Sequence, residues 1–320
     1  MPAPCHPPGA AHDSPADPPT GYVNMNSACM ICPMPPAAEH TVLHAVATVG
    51  ALAVACALLS VFVVARRWAF MGEGISHAGF GGAGTAWLLA LVFPAIDTPW
   101  LPYASVVVFC LLTAVAIGWL SRRERLNADA AIGIFLVASL AWGILAQQIC
   151  SYRHRPPPAF DALLFGRMAS VSGSYTLAAV CASLAIVVVL LALAKEIIYY
   201  AFDPAMAEVS GVPAGFIHYL MMVLVALTII IGVRILGSVM VTALLVLPGA
   251  TALILSGRLR SVIFLALAAS IFGAMAGLLI SLKWNFIPTG PAIVLLLFLE
   301  FVAAWLWNAA SGIRGSRAVE

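Results

Sequence analysis

Two residues stand out for their types and their spacing. Glu73 and His77 lie within Arg66-Arg67-Trp68-Ala69-Phe70-Met71-Gly72-Glu73-Gly74-Ile75-Ser76-His77-Ala78-Gly79-Phe80-Gly81-Gly82-Ala83-Gly84. At i and i+4 they sit about 40° apart on one helix face, so a carboxylate oxygen and an imidazole nitrogen can address one point. That donor pair suits Mn²⁺, Fe²⁺ or Zn²⁺ better than Ca²⁺ or an organic solute. Both residues open an apolar run, where an ionisable side chain is costly unless it faces a bundle interior or a wet cavity. The competing reading is structural: Glu73 answers the helix N-terminal dipole and His77 bonds a neighbouring helix. Spacing alone leaves both open. Gly74, Gly79, Gly81, Gly82 and Gly84, with Ser76, Ala78 and Ala83, let other backbones come close and place this helix inside a bundle under either reading.

Other polar residues point less directly at chemistry. Glu300, in Leu297-Phe298-Leu299-Glu300-Phe301-Val302, must pair, be protonated or face water, and an interhelical role outweighs a ligand role. His218, Arg234 and His44 are near enough to the ends of apolar runs to reach an interface by snorkelling or tilt, and carry no functional assignment. The first forty residues hold Cys5-His6, His12, Cys29-Met30-Ile31-Cys32 and His40 among many prolines. A lone C-x-x-C is a weak metal signature, a disulfide between Cys29 and Cys32 is an alternative, and Met25, Met30 or Met34 as the true start is a third. Cys56, Cys110 and Cys181 fall in apolar runs and read as packing residues, with Cys150 at a boundary.

The elements that must position these residues follow from composition. Of 320 residues, 63% are hydrophobic and 9% charged, against roughly 25% charged in a soluble domain. The mean hydropathy of +1.04 is carried by repeated apolar runs of about 20 residues, the length of a helix that crosses ~30 Å of hydrocarbon. The chain is therefore read as an all-α, polytopic membrane protein. A formal charge of +2 with no basic tract excludes a nucleic-acid partner. The two lysines, Lys195 and Lys283, stand in no glycine-rich loop, so a P-loop is absent, as are H-E-x-x-H and G-x-S-x-G.

Residues 1–40 are expected to form a disordered Pro/Cys/His-rich tail without signal-peptide character, and 41–320 the membrane domain. Nine spans are expected: 42–65, 74–95, 101–120, 128–149, 176–195, 216–235, 238–256, 261–282 and 291–310. The pair 216–235 and 238–256 is the weakest, because Gly237 allows only a tight reversal and Pro248 should kink the second helix, so eight spans remain possible. An extracytoplasmic N-terminus and a cytoplasmic C-terminus put Arg66, Arg67, Arg122, Arg123, Arg125, Lys195, Arg258, Arg260, Arg314 and Arg317 inside, ten of the fifteen basic residues. Trp68, Trp100, Tyr103, Trp119, Tyr152, Tyr199, Tyr200, Trp284 and Trp307 fit headgroup belts. Residues 156–172 are expected on the outer surface. Residues 202–213 begin with Asp203 before Pro204 and end with Gly211 and Pro213, predicting a short helix at the inner surface.

With those residues in view, the chain resembles the membrane-spanning permease subunits of bacterial ABC importers for zinc, manganese or iron, over about residues 42–310. Arg66-Arg67 followed by Gly72-Glu73-Gly74-Ile75-Ser76-His77-Ala78 is similar to that family's R-R…G-D-x-x-[SA]-H-[AS] segment. Asp129-Ala130-Ala131-Ile132-Gly133-Ile134, Leu164-Phe165-Gly166, Phe202-Asp203-Pro204, Leu244-Leu245-Val246-Leu247-Pro248-Gly249-Ala250-Thr251 and Thr289-Gly290-Pro291-Ala292-Ile293-Val294-Leu295 follow in the family's order. The resemblance implies a pathway formed by two copies of the permease in the bacterial inner membrane. Two cytoplasmic ABC ATPase subunits would drive it, and an extracytoplasmic metal-binding protein would supply it. It implies that 203–213 is the coupling helix, with Asp203, Pro204, Glu208 and Gly211 facing the ATPase, and that Glu73 and His77 contact the metal. Two departures stand against it: Glu73 replaces the usual Asp, and the Cys/His tail is outside the pattern.

The reading is an alternating-access transport subunit that binds no cofactor itself and passes a divalent ion as substrate. Its rivals are a proton-coupled secondary transporter using Glu73, His77 and Glu300 as a relay, for which no convincing internal repeat is seen, and a membrane-embedded metalloenzyme. The enzyme would need at least three convergent ligands and an activated water.

Overall fold

The computed structural model describes residues 38–93, 98, 100–122, 128–153, 173–202, 209–284 and 287–310. By its contacts the chain divides into Met1–Ala38 and Glu39–Glu320, and the fold is that of the second unit. Among the described residues there are ten helices and no strand: α1 (Ala38–Ala65), α2 (Met71–Val92), α3 (Leu101–Arg122), α4 (Ala128–Tyr152), α5 (Gly173–Ala192), α6 (Ala194–Phe202), α7 (Ala214–Leu236), α8 (Ser238–Leu255), α9 (Leu259–Lys283) and α10 (Thr289–Ala310). Eight of them are long and apolar enough to cross a membrane unbroken. A ninth crossing would be the pair Thr176–Ala192 and Ala194–Ala201, bent by 71° at Leu193. The apolar run ends there. Lys195 and Glu196 follow, and α6 buries Ile197, Tyr200 and Ala201 while Tyr199 stays exposed, the pattern of a helix lying along a surface.

Two junctions set the geometry of the centre. At the end of α1, Trp68 N–H donates to Val63 O (2.8 Å) and Arg67 N–H to Val64 O (3.0 Å), a Schellman cap with Arg67 in the left-handed position at φ 58°. The chain turns and α2 begins within three residues. The junction between α7 and α8 is Gly237, at φ 84° and ψ 164°, a region that only glycine occupies readily. The reversal is sharp, since a Cβ on Gly232 would lie 2.5 Å from a Val241 methyl. In a straight helix nine residues would separate those two by about 13 Å. The expected tight turn is present, and Pro248 lies within α8 without ending it.

Helices in hydrocarbon gain nothing from burying apolar surface against each other, so close packing must hold them. α2 packs most extensively against α4 and α3, and also against α7 and α8. A Cβ on Gly82 would lie 2.6 Å from Val106 Cα, and one on Gly84 would lie 2.8 Å from Ala146 Cβ. The glycine-dense helix is therefore enclosed, as its composition predicts. α1 is enclosed too: Ser270 Oγ donates to Ala53 O (2.9 Å), and a Cβ on Gly249 would lie 2.5 Å from Ser60 O.

A hydrogen-bonded brace ties the α1–α2 elbow to α3, α6 and α7. His218 Nε2 lies 3.0 Å from Gly118 O, and a carbonyl only accepts, so Nε2 carries the proton and Nδ1 accepts from the Tyr200 hydroxyl (2.7 Å). That hydroxyl in turn accepts from Arg66 Nη2 (3.1 Å), and the Arg66 guanidinium lies over the rings of Tyr200 and Trp68.

Four expectations are corrected here. Trp68 and His218, each 4% exposed, and Tyr200 are buried in this brace rather than reaching an interface, because each has a polar partner or an aromatic edge inside the bundle. Cys181, read as a packing residue, is exposed, whereas Cys56, Cys110 and Cys150 are buried. Trp100, Tyr103, Trp119, Tyr152, Tyr199, Trp284 and Trp307 are exposed as a belt requires. The segment 156–172 and residues 203–208 lie outside the described residues.

Gly237→Ala should destabilise the solubilised protein by about 1–3 kcal/mol, the cost of forcing a side chain into that backbone region. Tyr200→Phe, which leaves buried His218 Nδ1 without its donor, should cost about 1–3 kcal/mol. Thermal unfolding in detergent measures both.

Candidate functional site

The elbow after α1 delivers the chain to Met71, and Glu73 falls in the first turn of α2 with His77 one turn further on. Two glycines flank Glu73 and let neighbours close in. A Cβ on Gly72 would lie 3.3 Å from Thr242 Cγ2 on α8, and one on Gly74 would lie 2.8 Å from Ile132 Cγ2 on α4. Glu73 is thus held where α2 passes between α4 and α8.

Its carboxylate spends one oxygen on its own helix and the other across the bundle. Glu73 Oε1 lies 2.8 Å from His77 Nε2, and Oε2 accepts from Thr242 Oγ1 at 3.3 Å. Thr242 Oγ1 is also 3.0 Å from Ser238 O, one turn back on α8. The His77 ring stacks on Phe80, with centroids 5.5 Å apart and planes at 25°. The side chains of Glu73 and His77 are 35% and 16% exposed, so the pair is reachable without lying open. The N-cap residue Phe70 makes no side-chain hydrogen bond to α2, and Glu73 stands in the first turn, where a carboxylate also favours the N-terminal dipole.

The protonation pattern follows from the partners. An ionised carboxylate only accepts, so Nε2 carries the ring proton and Nδ1 of a neutral ring holds the lone pair. That Nδ1 is buried and has no hydrogen-bond partner among the described residues. A carboxylate that fixes the tautomer and orientation of an imidazole, leaving the other nitrogen free, is the arrangement that metal-ligating histidines use. The two residues singled out from spacing are therefore brought together, though here they meet each other instead of converging on a third point.

Other predicted residues do not join them. Among the described residues no group of three or more His, Cys, Asp or Glu is placed to share a metal ion. Glu300 lies between α9 and α10, where a Cβ on Gly273 would be 3.0 Å from its Oε1, and that oxygen is buried and unpartnered. The three-member relay of Glu73, His77 and Glu300 is not assembled. Asp203, Pro204 and Glu208 lie outside the described residues. Gly211 sits in an exposed turn at φ 80° with open space where a Cβ would be. An apolar cavity of about 290 Å³, lined by Leu236, Met240, Pro291 and Val294 among others, contains none of the site residues.

Sequence reasoning missed Thr242 and Ser238. Their i, i+4 spacing is a helix-face signal, but nothing local says which helix that face meets, since Glu73 and Thr242 are 169 residues apart.

Comparison with known proteins bears on the whole of this fold. The model of the ABC 3 transport family matches residues 38–308. The manganese transport system membrane protein MntC of Halalkalibacterium halodurans is 31% identical over 270 residues, 83% of this chain and 88% of that protein. The chelated iron transport system membrane protein YfeD of Yersinia pestis is 32% identical over 264 residues, 82% and 83% of the two chains. Among solved structures, PsaBC from Streptococcus pneumoniae in complex with Fab aligns with a TM-score of 0.68 and 26% identity, covering 83% of this chain and 91% of that one. An inward-facing metal-chelate type ABC transporter, 17% identical with a TM-score of 0.66, shares the fold. The chain belongs to the ABC 3 transport family, as a multi-pass membrane permease subunit of an ABC transporter.

Proposed function

We propose that this permease passes divalent transition-metal ions inward, and that Glu73 and His77 contact the ion on the way. The observation that carries the reading is the half-sheltered carboxylate–imidazole pair, with one imidazole nitrogen buried and unpartnered. The ion is substrate, and the chain binds no cofactor of its own. Manganese and iron appear in the names of the related transport proteins, and the oxygen and nitrogen donors here suit Mn²⁺, Fe²⁺ and Zn²⁺ alike.

A single chain offers one carboxylate and one imidazole, fewer donors than the four or more a desolvated transition-metal ion takes. A second copy of the permease related by a twofold axis supplies the same pair again, because such an interface repeats every residue. Two carboxylates and two imidazoles on a shared pathway would hold the ion, with water in any remaining positions. Each chain's pair stays satisfied by its own hydrogen bond when the ion leaves.

The remaining machinery follows from the same reading. ATP hydrolysis belongs to cytoplasmic ABC ATPase subunits, and an extracytoplasmic metal-binding protein delivers the ion. The N-terminus is extracytoplasmic and the C-terminus cytoplasmic, as the arginine distribution favours. Residues 203–213, with Asp203, Pro204, Glu208 and Gly211, receive the ATPase. Val209 is 83% exposed beside them, an apolar side chain that fits a surface covered by a partner. The brace of Arg66, Tyr200 and His218 leads from this end of the molecule to the elbow that carries Glu73.

Glu73→Gln and His77→Ala should each reduce metal uptake in whole cells by about tenfold or more at subsaturating ion, with normal abundance in the membrane. Unchanged uptake in both would remove the ligand role. Val209→Glu should reduce co-purification of the ATPase subunits while leaving the permease folded, as judged by gel filtration in detergent. Full retention of the ATPase would place its docking surface elsewhere.

A further inference from the structure

We propose that Thr242 is a positioning residue for the ion-contacting carboxylate: its hydroxyl, reaching across from α8, holds Glu73 Oε2, so that Oε1, the oxygen shared with His77 Nε2–H, is the one an ion meets when it displaces or bridges that bond. The proposal rests on the reading of Glu73 and His77 given above, and extends it to a residue on a different helix.

The geometry makes the contact asymmetric. Thr242 Oγ1 has one proton and two acceptors within reach, its own helix's Ser238 O at 3.0 Å and Glu73 Oε2 at 3.3 Å. A threonine in a membrane helix is satisfied by the carbonyl four residues back, as Thr228 and Thr251 are in this chain. Thr242 therefore does not need Glu73. The carboxylate gains more from the contact, because Thr242 is the donor that reaches its second oxygen from another helix.

The surroundings keep this contact in place. A Cβ on Gly72 would lie 3.3 Å from Thr242 Cγ2, so glycine at 72 lets α8 stand close enough for the hydroxyl to reach Glu73. One turn back on the same face, Ser238 is 1% exposed and its Oγ has no hydrogen-bond partner. An orphaned buried hydroxyl is costly in a dry environment. Beside a pathway that admits an ion and its remaining water it is not orphaned. The face of α8 turned toward Glu73 thus carries two hydroxyls, in a helix whose other residues from 239 to 250 are apolar or glycine.

The chemical consequence is denticity. A free carboxylate can chelate a divalent ion through both oxygens or swing wholly onto His77. With Oε2 engaged by Thr242, the carboxylate contributes one oxygen at a fixed angle beside the imidazole. Removing the hydroxyl should disorder that presentation and weaken ion capture, without touching the ATPase-driven step.

The test compares Thr242→Val, which keeps the shape and removes the hydroxyl, with Thr242→Ser, which keeps the hydroxyl and removes a methyl. Uptake is measured in cells carrying the complete importer, with radiolabelled Mn²⁺, Fe²⁺ and Zn²⁺ in parallel and normalised to permease in the membrane. For the ion the wild-type chain carries, Thr242→Val should raise the half-saturating concentration about threefold to tenfold with the maximal rate unchanged, the scale of one lost hydrogen bond. Thr242→Ser should stay within about twofold of wild type on the same scale. Wild-type kinetics for Thr242→Val, equal impairment of both variants, or a fall in maximal rate alone would each overturn the proposal. Glu73→Gln, assayed alongside, separates the two levels: if it takes up metal normally, the ion-contact reading itself has failed. If it is inactive while Thr242→Val behaves as wild type, only the positioning role has failed.

Discussion

A carboxylate inside a helical bundle in hydrocarbon must be answered by donors or face a wet cavity. Glu73 is answered twice, by the imidazole one turn along its own helix and by a hydroxyl from α8. That pair of bonds is the constraint from which the centre of the molecule follows. It fixes the side of α2 that faces α8, the tautomer of His77, and which ring nitrogen is left without a partner among the described residues. His77 Nδ1 is buried and finds no partner among the described residues, and its lone pair is what the proposed ion contact would use.

Holding those bonds in register requires α2 to be thin. Its neighbours approach to distances at which a Cβ on Gly74, Gly82 or Gly84 would collide with α4 or α3. Small residues serve here as close contact, since hydrocarbon supplies no hydrophobic drive between helices. The other end of the positioning problem is the elbow. Arg67 adopts a left-handed conformation that glycine would adopt more easily, and Arg66 beside it joins Tyr200 and His218. Two adjacent arginines therefore do different things: one ends α1 at an exposed position, and the other locks the turn to α6 and α7. α2 begins at Met71, so a short, hydrogen-bonded elbow joins this brace to the turn that carries Glu73.

Much of this was legible in the sequence. Apolar runs of membrane length gave the helices within a few residues, Gly237 announced the reversal between α7 and α8, and the i, i+4 spacing of Glu73 and His77 gave a shared helix face. What was not legible depends on tertiary context. Trp68, Tyr200 and His218 sit near helix ends, where an amphipathic ring suits a headgroup belt and a buried brace equally well. Only the carbonyl of Gly118, on another helix, decides between them. The bend at Leu193 was hidden because the expected span, 176–195, ran past it and left the short amphipathic helix that follows without an assignment. Thr242 was invisible for a different reason: a hydroxyl in an apolar helix is ordinarily satisfied by its own backbone, so nothing in its neighbourhood signals a partner on α2.

The mutual bond between Glu73 and His77 also bears on how a permease can release what it captures. A site built to keep a metal gathers four ligands that have no better alternative to the ion. On the proposed reading each group has an alternative in the other, at 2.8 Å, so the empty state keeps one hydrogen bond between them while His77 Nδ1 stays without a partner among the described residues. An ion that took both groups as ligands would have to displace or bridge that hydrogen bond, and its departure would restore it. The free energy of binding is reduced by the worth of the bond, which in a sheltered, charge-assisted setting is about 1.5–3 kcal/mol. Such a reduction suits a passing site, where an ion held too firmly would stop the cycle. On the reading proposed for this chain, the same carboxylate–imidazole contact that makes Glu73 tolerable in the membrane keeps the ion from staying.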